Sequence, residues 1–215
     1  MLMNLQDGVW LASYPRSGNT FLRTILWHCF EMPSASIYPQ DLGGNRVLER
    51  YVGHIEHQNG KISFPDNVVP LVKTHKHPSD TRPAIYVIRD GRAASISMWE
   101  FYNKEITLPD IIHGNHLFGT WSEHIEAWSP WTRPNTLLIE YQDMISNLGS
   151  VLTNLSEFLQ KDIVKIEIPN RDTIANSDGQ WVKKKSDWRD VFIGGLLEEF
   201  NTKNIEILTR AGYEV

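Results

Sequence analysis

A chain of 215 residues with 41% hydrophobic and 22% charged side chains is built for one well-buried globular domain and is too short for two comfortable ones. Its formal net charge of −5 argues against indiscriminate nucleic-acid binding, which needs a basic surface. The single cysteine, Cys29, rules out an internal disulfide, and no apolar run approaches the ~20 residues of a membrane span.

In chain order, the opening MLMNLQDG has neither the basic start nor the apolar core of a secretory signal, so a cytoplasmic location is expected. Val9 to Ala12 reads as a buried strand. The segment Ser13-Tyr14-Pro15-Arg16-Ser17-Gly18-Asn19 is rich in turn formers, and Phe21, Leu22, Ile25, Leu26 and Phe30 then fall at helical spacing. A strand that feeds a glycine-containing loop and opens a helix leaves backbone N–H groups unpaired and pointing one way. With the positive end of the helix dipole they make an anion site. Arg16 adds a full charge; the hydroxyls of Ser13, Ser17 and Thr20 add donors. Compared with the P-loop of nucleotide hydrolases, Gly18 matches the second glycine, whereas Ser13 replaces the first and Asn19 replaces the lysine. The loop therefore suits a phosphate without being built for Mg-ATP.

Residues 31–44 are rich in Pro, Ser and Gly and are expected to be irregular, with a helix over 45–58 and a loop over 59–67. Val68 to Lys73 and Ala84 to Arg89 read as strands. Asp90 is a good N-cap for a helix carrying Ala93, Ala94, Ile96, Ser97 and Phe101. Residues 107–119 are ambiguous; Gly119 to Trp128 is helical, and Pro130 ends it. Thr136 to Tyr141 is a fourth strand, followed by one long amphipathic helix through Leu148, Leu152, Leu155, Phe158 and Leu159. A short helix over 171–177, a polar loop over 178–190 and a final helix from Gly195 to Ala211, stopped by Gly212, complete the chain.

Apolar strands alternating with helices imply an α/β domain whose parallel sheet is covered on both faces. Ligands of such sheets bind beyond the carboxyl ends of the strands. Ser13-Tyr14, Lys73-Thr74-His75, Arg89-Asp90 and Tyr141 end the four strands and are expected to converge. The cations cluster likewise, at Lys73 and Lys76, at Arg89 and Arg92, and at Lys183 to Lys185, which on an acidic body fits a small anionic ligand in a cleft. A histidine with pKa near ~6.5 can take a hydroxyl proton at neutral pH, and a lysine can neutralise a developing anion, so Lys73 and His75 form a chemically sensible pair. Two other readings of this stretch stay open on the residues alone: a solvated loop, and His75 with His77 as metal ligands, the latter without an evident partner cluster.

YPRSGNTF resembles the 5′-phosphosulfate loop, usually close to YPKSGTTW, of sulfotransferases that use 3′-phosphoadenosine 5′-phosphosulfate (PAPS). The resemblance implies that Arg16, Ser17, Gly18, Asn19 and Thr20 hold the phosphosulfate end, with Arg16, in place of the usual lysine, also serving catalysis. Phe21 stands where the family has a tryptophan on the adenine. Lys73-Thr74-His75, followed by Pro78, resembles the K-T-H-x-P segment, in which the lysine contacts the sulfuryl group and the histidine is the general base. Arg89 and Ser97, in YVIRDGRAASISMWEFY, resemble the pair that clamps the 3′-phosphate, and Arg92 is expected at the surface. Tyr141, in LLIEYQDM, resembles the tyrosine that approaches the adenine; Trp121 and Trp128 match a packing helix. WVKKKSDWRDVF resembles a compressed form of the segment that closes over the 3′-phosphate, which implies contacts from Lys183 and Lys184.

Together these segments span residues 9 to 192 and imply a single sulfotransferase domain over 1–215 with a P-loop-like sheet. They imply PAPS as donor, its bisphosphate PAP as product, no metal, and a small-molecule or saccharide acceptor walled by residues 31–67 and 103–118. A nucleotide or small-molecule kinase is the alternative weakened by Asn19; a non-catalytic nucleotide-binding module is weakened by the Lys73–His75 pair.

Overall fold

The computed structural model describes residues 4–170 and 187–215. Strands β1 (Val9–Ser13), β2 (Ser34–Ser36), β3 (Leu71–Thr74), β4 (Ala84–Ile88) and β5 (Thr136–Glu140) form one parallel sheet in the order β2-β3-β1-β4-β5. Side-chain alternation sends each central strand into two cores. Val9, Leu11, Ile85 and Val87 pack on one face with helices α1 (Asn19–Phe30) and α7 (Leu148–Leu159). Trp10, Ala12, Tyr86 and Ile88 pack on the other with α3 (Gly91–Phe101), α5 (Trp121–Trp128) and α8 (Gly195–Arg210). Short helices α2 (Arg46–Val52), α4 (Leu108–Ile112) and α6 (Tyr141–Ser146) complete the set among the described residues. None of these helices is long and apolar enough to cross a membrane.

Local signals set several boundaries. The Asp90 side chain accepts from the Arg92 amide and caps α3. Thr120 and Glu123 form a reciprocal capping box at α5. Gly212, at φ 73°, stops α8.

Elsewhere the structure departs from expectation. Residues 34–36, expected to be irregular, are an edge strand held by β3, a pairing that their sequence Ser-Ala-Ser does not announce. β3 begins at Leu71 rather than Val68, because Pro70 has no N–H to give a ladder; its carbonyl instead accepts from Val9 (2.8 Å). α2 ends at Val52, well short of residue 58, where Gly53 turns left-handed at φ 58°. The long helix after β5 is two helices, broken at Asn147 (φ −140°, ψ 44°). Tyr141, expected to close the strand, opens α6.

Arg92, expected at the surface, is buried. Its guanidinium pairs with Asp90 (2.8 Å), donates to Asn201 Oδ1 and the Glu214 carbonyl, and stacks 4.0 Å from the Trp188 ring centroid. A buried charge persists only when its donors are used, and here they clasp the C-terminal segment. Arg92→Ala is expected to cost about 3 kcal/mol or more, read as a lower urea midpoint at unchanged slope.

Candidate active site

The carboxyl ends of β1, β3 and β4, the start of α6 and helix α3 enclose one cleft of about 700 Å³. Arg16, Gly18, Asn19, Thr20, Phe21, Lys73, His75, Arg89, Ser97 and Tyr141 all line it. These residues are scattered over 126 positions of sequence, yet the fold gathers them on one wall because parallel strands deliver their ends to the same edge. Lys183 and Lys184 lie outside the described residues.

The loop between β1 and α1 is held in an uncommon shape. Arg16 sits at φ 64° and Gly18 at φ 105°, so the chain reverses tightly before α1 begins. The first turn of α1 contains no acidic side chain, leaving its amides and the dipole to face the cleft unopposed. Asn19 does not reach outward: its Nδ2 donates back to the Leu11 carbonyl (2.9 Å) and Ser13 Oγ (3.3 Å), tying the loop to β1. Ser17 is buried, its hydroxyl does not line the cleft, and neither Ser17 Oγ nor Asn19 Oδ1 has a hydrogen-bond partner.

The two phosphate-type segments touch each other directly. Arg16 Nε donates to Ser97 Oγ (3.2 Å), and the Arg16 guanidinium lies 4.7 Å from the centre of the Phe101 ring. Arg89 Nη1 donates to the Arg16 carbonyl (2.7 Å) while its guanidinium lies 4.7 Å from the Tyr141 ring centroid. Burial and the neighbouring Arg89 charge lower the Arg16 pKa to about 10, which leaves it cationic at neutral pH. Trp121 Nε1 donates to the Arg89 carbonyl (3.1 Å), fixing the end of β4 from the opposite core.

His75 is clamped on every side. Its Nδ1 lies 2.8 Å from the Ser13 carbonyl, which can only accept, so that nitrogen is assigned the proton and Nε2 keeps its lone pair. Its backbone N–H donates to Tyr38 Oη (2.9 Å), and its carbonyl accepts from His124 Nε2 (3.2 Å). The ring stacks on Tyr38 at 5.8 Å and meets Phe118 edge-on at 5.9 Å. Burial, then the nearby Lys73 charge, push its pKa well below 6.5, so the imidazole is neutral.

Lys73 is buried and donates to Asp41 Oδ1 (2.5 Å); the other oxygen, Oδ2, accepts from Arg23 Nη1 (2.6 Å). Sequence reasoning missed Asp41, Tyr38 and Arg23 as site residues. One signal was present: Arg23 sits among Leu22, Ile25 and Leu26 on the buried face of α1, and a cation there requires an acid from elsewhere in the fold.

The cleft thus carries three cations, Arg16, Lys73 and Arg89, a helix N-terminus, and a neutral histidine with a free lone pair. That set suits a ligand with separated anionic groups next to a proton acceptor. Residues 6–186 match the family model described as "Sulfotransferase domain". Mouse Sulfotransferase 1E1 is 23% identical over 184 residues, covering 75% of this chain, and the chain spans 61% of that protein's length. Mouse Sulfotransferase 4A1 is 22% identical, covering 90% of this chain and 77% of its own length. Retinol dehydratase, solved with androsterone and the inactive cofactor PAP, has a TM-score of 0.68 at 19% identity, covering 97% of this chain and 82% of its own. Mouse sulfotransferase SULT7A1, solved with PAP, has a TM-score of 0.66 at 18% identity, with coverages of 96% and 85%. The solved structures share this chain's fold, and the family match over most of its length shows that the chain belongs to the sulfotransferase domain family.

Proposed function

We propose that this protein moves the sulfuryl group of PAPS to a hydroxyl or amine of an acceptor, releasing PAP, by in-line transfer with His75 as general base. The observation that carries this reading is the neutral, tautomer-fixed His75 facing the same cleft as Arg16, Lys73 and Arg89. PAPS supplies the activated sulfuryl group; the protein supplies placement and charge.

The α1 amides with Gly18, Asn19, Thr20 and Arg16 hold the 5′-phosphosulfate end. Ser17 closes the turn through its backbone, its N–H donating to the Tyr14 carbonyl (3.2 Å), while its hydroxyl stays buried outside the cleft lining. Arg89 and Ser97 hold the 3′-phosphate, 8 positions apart on β4's end and α3. Lys183 and Lys184, outside the described residues, are assigned to the same phosphate on the resemblance of their segment alone. Phe21 and Tyr141 flank the adenine, and the Arg89 guanidinium stiffens the Tyr141 ring by stacking on it. His75 Nε2 takes the acceptor proton as its oxygen attacks sulfur, while Lys73 and Arg16 receive the charge that returns to the 5′-phosphate. No step requires a metal.

Tyr38 and Phe118 pack against His75, and Phe101, Tyr102, Ile145 and Leu148 line the same cleft. That wall suits a small, largely apolar alcohol, phenol or amine rather than a saccharide. A single domain over 1–215 and a cytoplasmic location complete the proposal.

Thermal unfolding with PAP against ADP and Mg-ATP tests the nucleotide assignment. Ligand at ~100 times its dissociation constant adds ~2.7 kcal/mol, which for a domain of this size is roughly 5–10 °C. A shift with PAP that ADP does not reproduce is expected. A shift with Mg-ATP alone would replace this reading with phosphoryl transfer.

A further inference from the structure

Lys73 lies deep in the protein with a side chain 3% exposed, and it donates to Asp41, also 3% exposed, at 2.5 Å. Asp41 is itself anchored. Its second oxygen accepts from Arg23 Nη1 (2.6 Å), whose side chain is 0% exposed. Arg23 spends its other donors on Ser34 Oγ (2.8 Å), the Ser34 carbonyl (3.3 Å) and His54 Nδ1 (2.8 Å). Burial and the Arg23 charge lower the His54 pKa to about 4, so that ring is a neutral acceptor. The chain of contacts runs from the edge strand β2 through α1 to the end of β3, and it ends on Lys73 in the cleft.

The turn that carries Asp41 is built to put it there. The Asp41 amide donates to the Tyr38 carbonyl (3.0 Å), and the two following residues, Leu42 and Gly43, are both left-handed at φ 63° and 60°. The same turn places the Tyr38 ring 5.9 Å from Lys73 Nζ and the Tyr38 hydroxyl on the His75 amide. Asp41 is a poor proton acceptor, since both of its oxygens face cations. Burial alone would raise its pKa, but Lys73 and Arg23 outweigh that and hold the carboxyl well below the usual range.

Resting on the sulfuryl-transfer reading above, we propose that Asp41, anchored by Arg23, is a positioning residue for Lys73: it holds the ammonium at the cleft wall, charged and aimed, so that it meets the donor's anionic end without reorganising. A four-carbon side chain left alone in this pocket would have neither a fixed direction nor a stable charge. Among the described residues, the charged and titratable groups facing Lys73 include Asp41, Arg23, Arg16, His75, Tyr38 and, behind Arg23, His54. Burial already lowers the Lys73 pKa, and Asp41 is the anion in that group that opposes the fall. Without it, burial and the like charges of Arg23 and Arg16 favour the neutral amine.

The test compares Asp41→Asn, Lys73→Met and the double variant Asp41→Asn/Lys73→Met with the unaltered protein in a PAPS assay with an acceptor it turns over. Asp41→Asn is expected to lower kcat about 10–100-fold, to leave PAP affinity within about threefold, and to add a falling alkaline limb to the kcat–pH profile as Lys73 loses its proton. In the Lys73→Met background Asp41→Asn should change kcat little, because the residue through which it acts is gone. Asp41→Asn leaves two buried cations facing each other, so the same readings are made on Asp41→Asn/Arg23→Met, where the same loss and the same limb are expected. An unchanged kcat and profile, or an equal loss with and without Lys73, would overturn the proposal. Absence of turnover and of PAP binding in the unaltered protein would instead overturn the sulfuryl-transfer reading, so the two failures are separable.

Discussion

His75→Ala is expected to lower kcat by ~10²–10⁴ while PAP still binds, the loss typical of a general base. The size follows from how little else can take the proton. His77 is exposed and faces His124 at 5.7 Å, so it does not stand at the cleft wall. Asp41 is held by two cations. The Ser13 carbonyl holds the imidazole through Nδ1, and Tyr38 and His124 hold the His75 backbone, which leaves Nε2 as the ring's basic atom in a residue that lines the cleft. Because burial and Lys73 depress the His75 pKa, protonation sets in only well below 6.5. The free enzyme's base therefore stays competent as pH falls, and kcat/KM is expected to hold its value through pH ~6.5. An acidic limb centred near that value would show that the His75 pKa is not depressed, and wild-type turnover by His75→Ala would remove His75 from proton transfer.

Gly18→Ala should damage both the fold and nucleotide binding. Gly18 has φ 105°, where a Cβ is strained, and a Cβ built there would lie 2.4 Å from Tyr141 Cδ2 and 3.2 Å from Met144 Cε. Strain and overlap together are expected to cost about 2–4 kcal/mol, a fall in Tm of roughly 5–15 °C. Displacing the ring breaks a contact, since the Arg89 guanidinium lies 4.7 Å from its centroid and Arg89 holds the Arg16 carbonyl. Moving Tyr141 therefore disturbs both arginines proposed to hold the phosphates, and PAP affinity should fall at least about tenfold. Gly43→Ala separates the two causes: Gly43 has φ 60° but nothing within 4 Å of its Cβ, so only the smaller backbone cost is expected. Equal effects at the two glycines would show that contact with Tyr141 is not what Gly18 protects.

What was readable along the chain was what neighbouring residues encode together. The apolar run from Val9 followed by the Pro-Arg-Ser-Gly turn specified strand, loop and helix without help from elsewhere. Asp90 announced its helix because a cap acts within three residues. The strand ends converged as expected, since parallel topology requires it once four apolar runs alternate with helices. Failures occurred where a partner lies far away in sequence. Ser34–Ser36 is a strand only because β3 pairs with it. Arg92 looked like a surface residue until α8 and the C-terminal segment closed over it.

By itself, then, the sequence determined the class of fold and named most of the residues that line the cleft. Tertiary structure alone decided that Asn19 turns inward, that His75 carries its proton on Nδ1, and that Lys73 is paired with an acid 32 positions earlier. The reason is physical: local patterns set backbone geometry within a few residues, whereas a buried charge or a tautomer is set by whichever group the folded chain brings within about 3 Å.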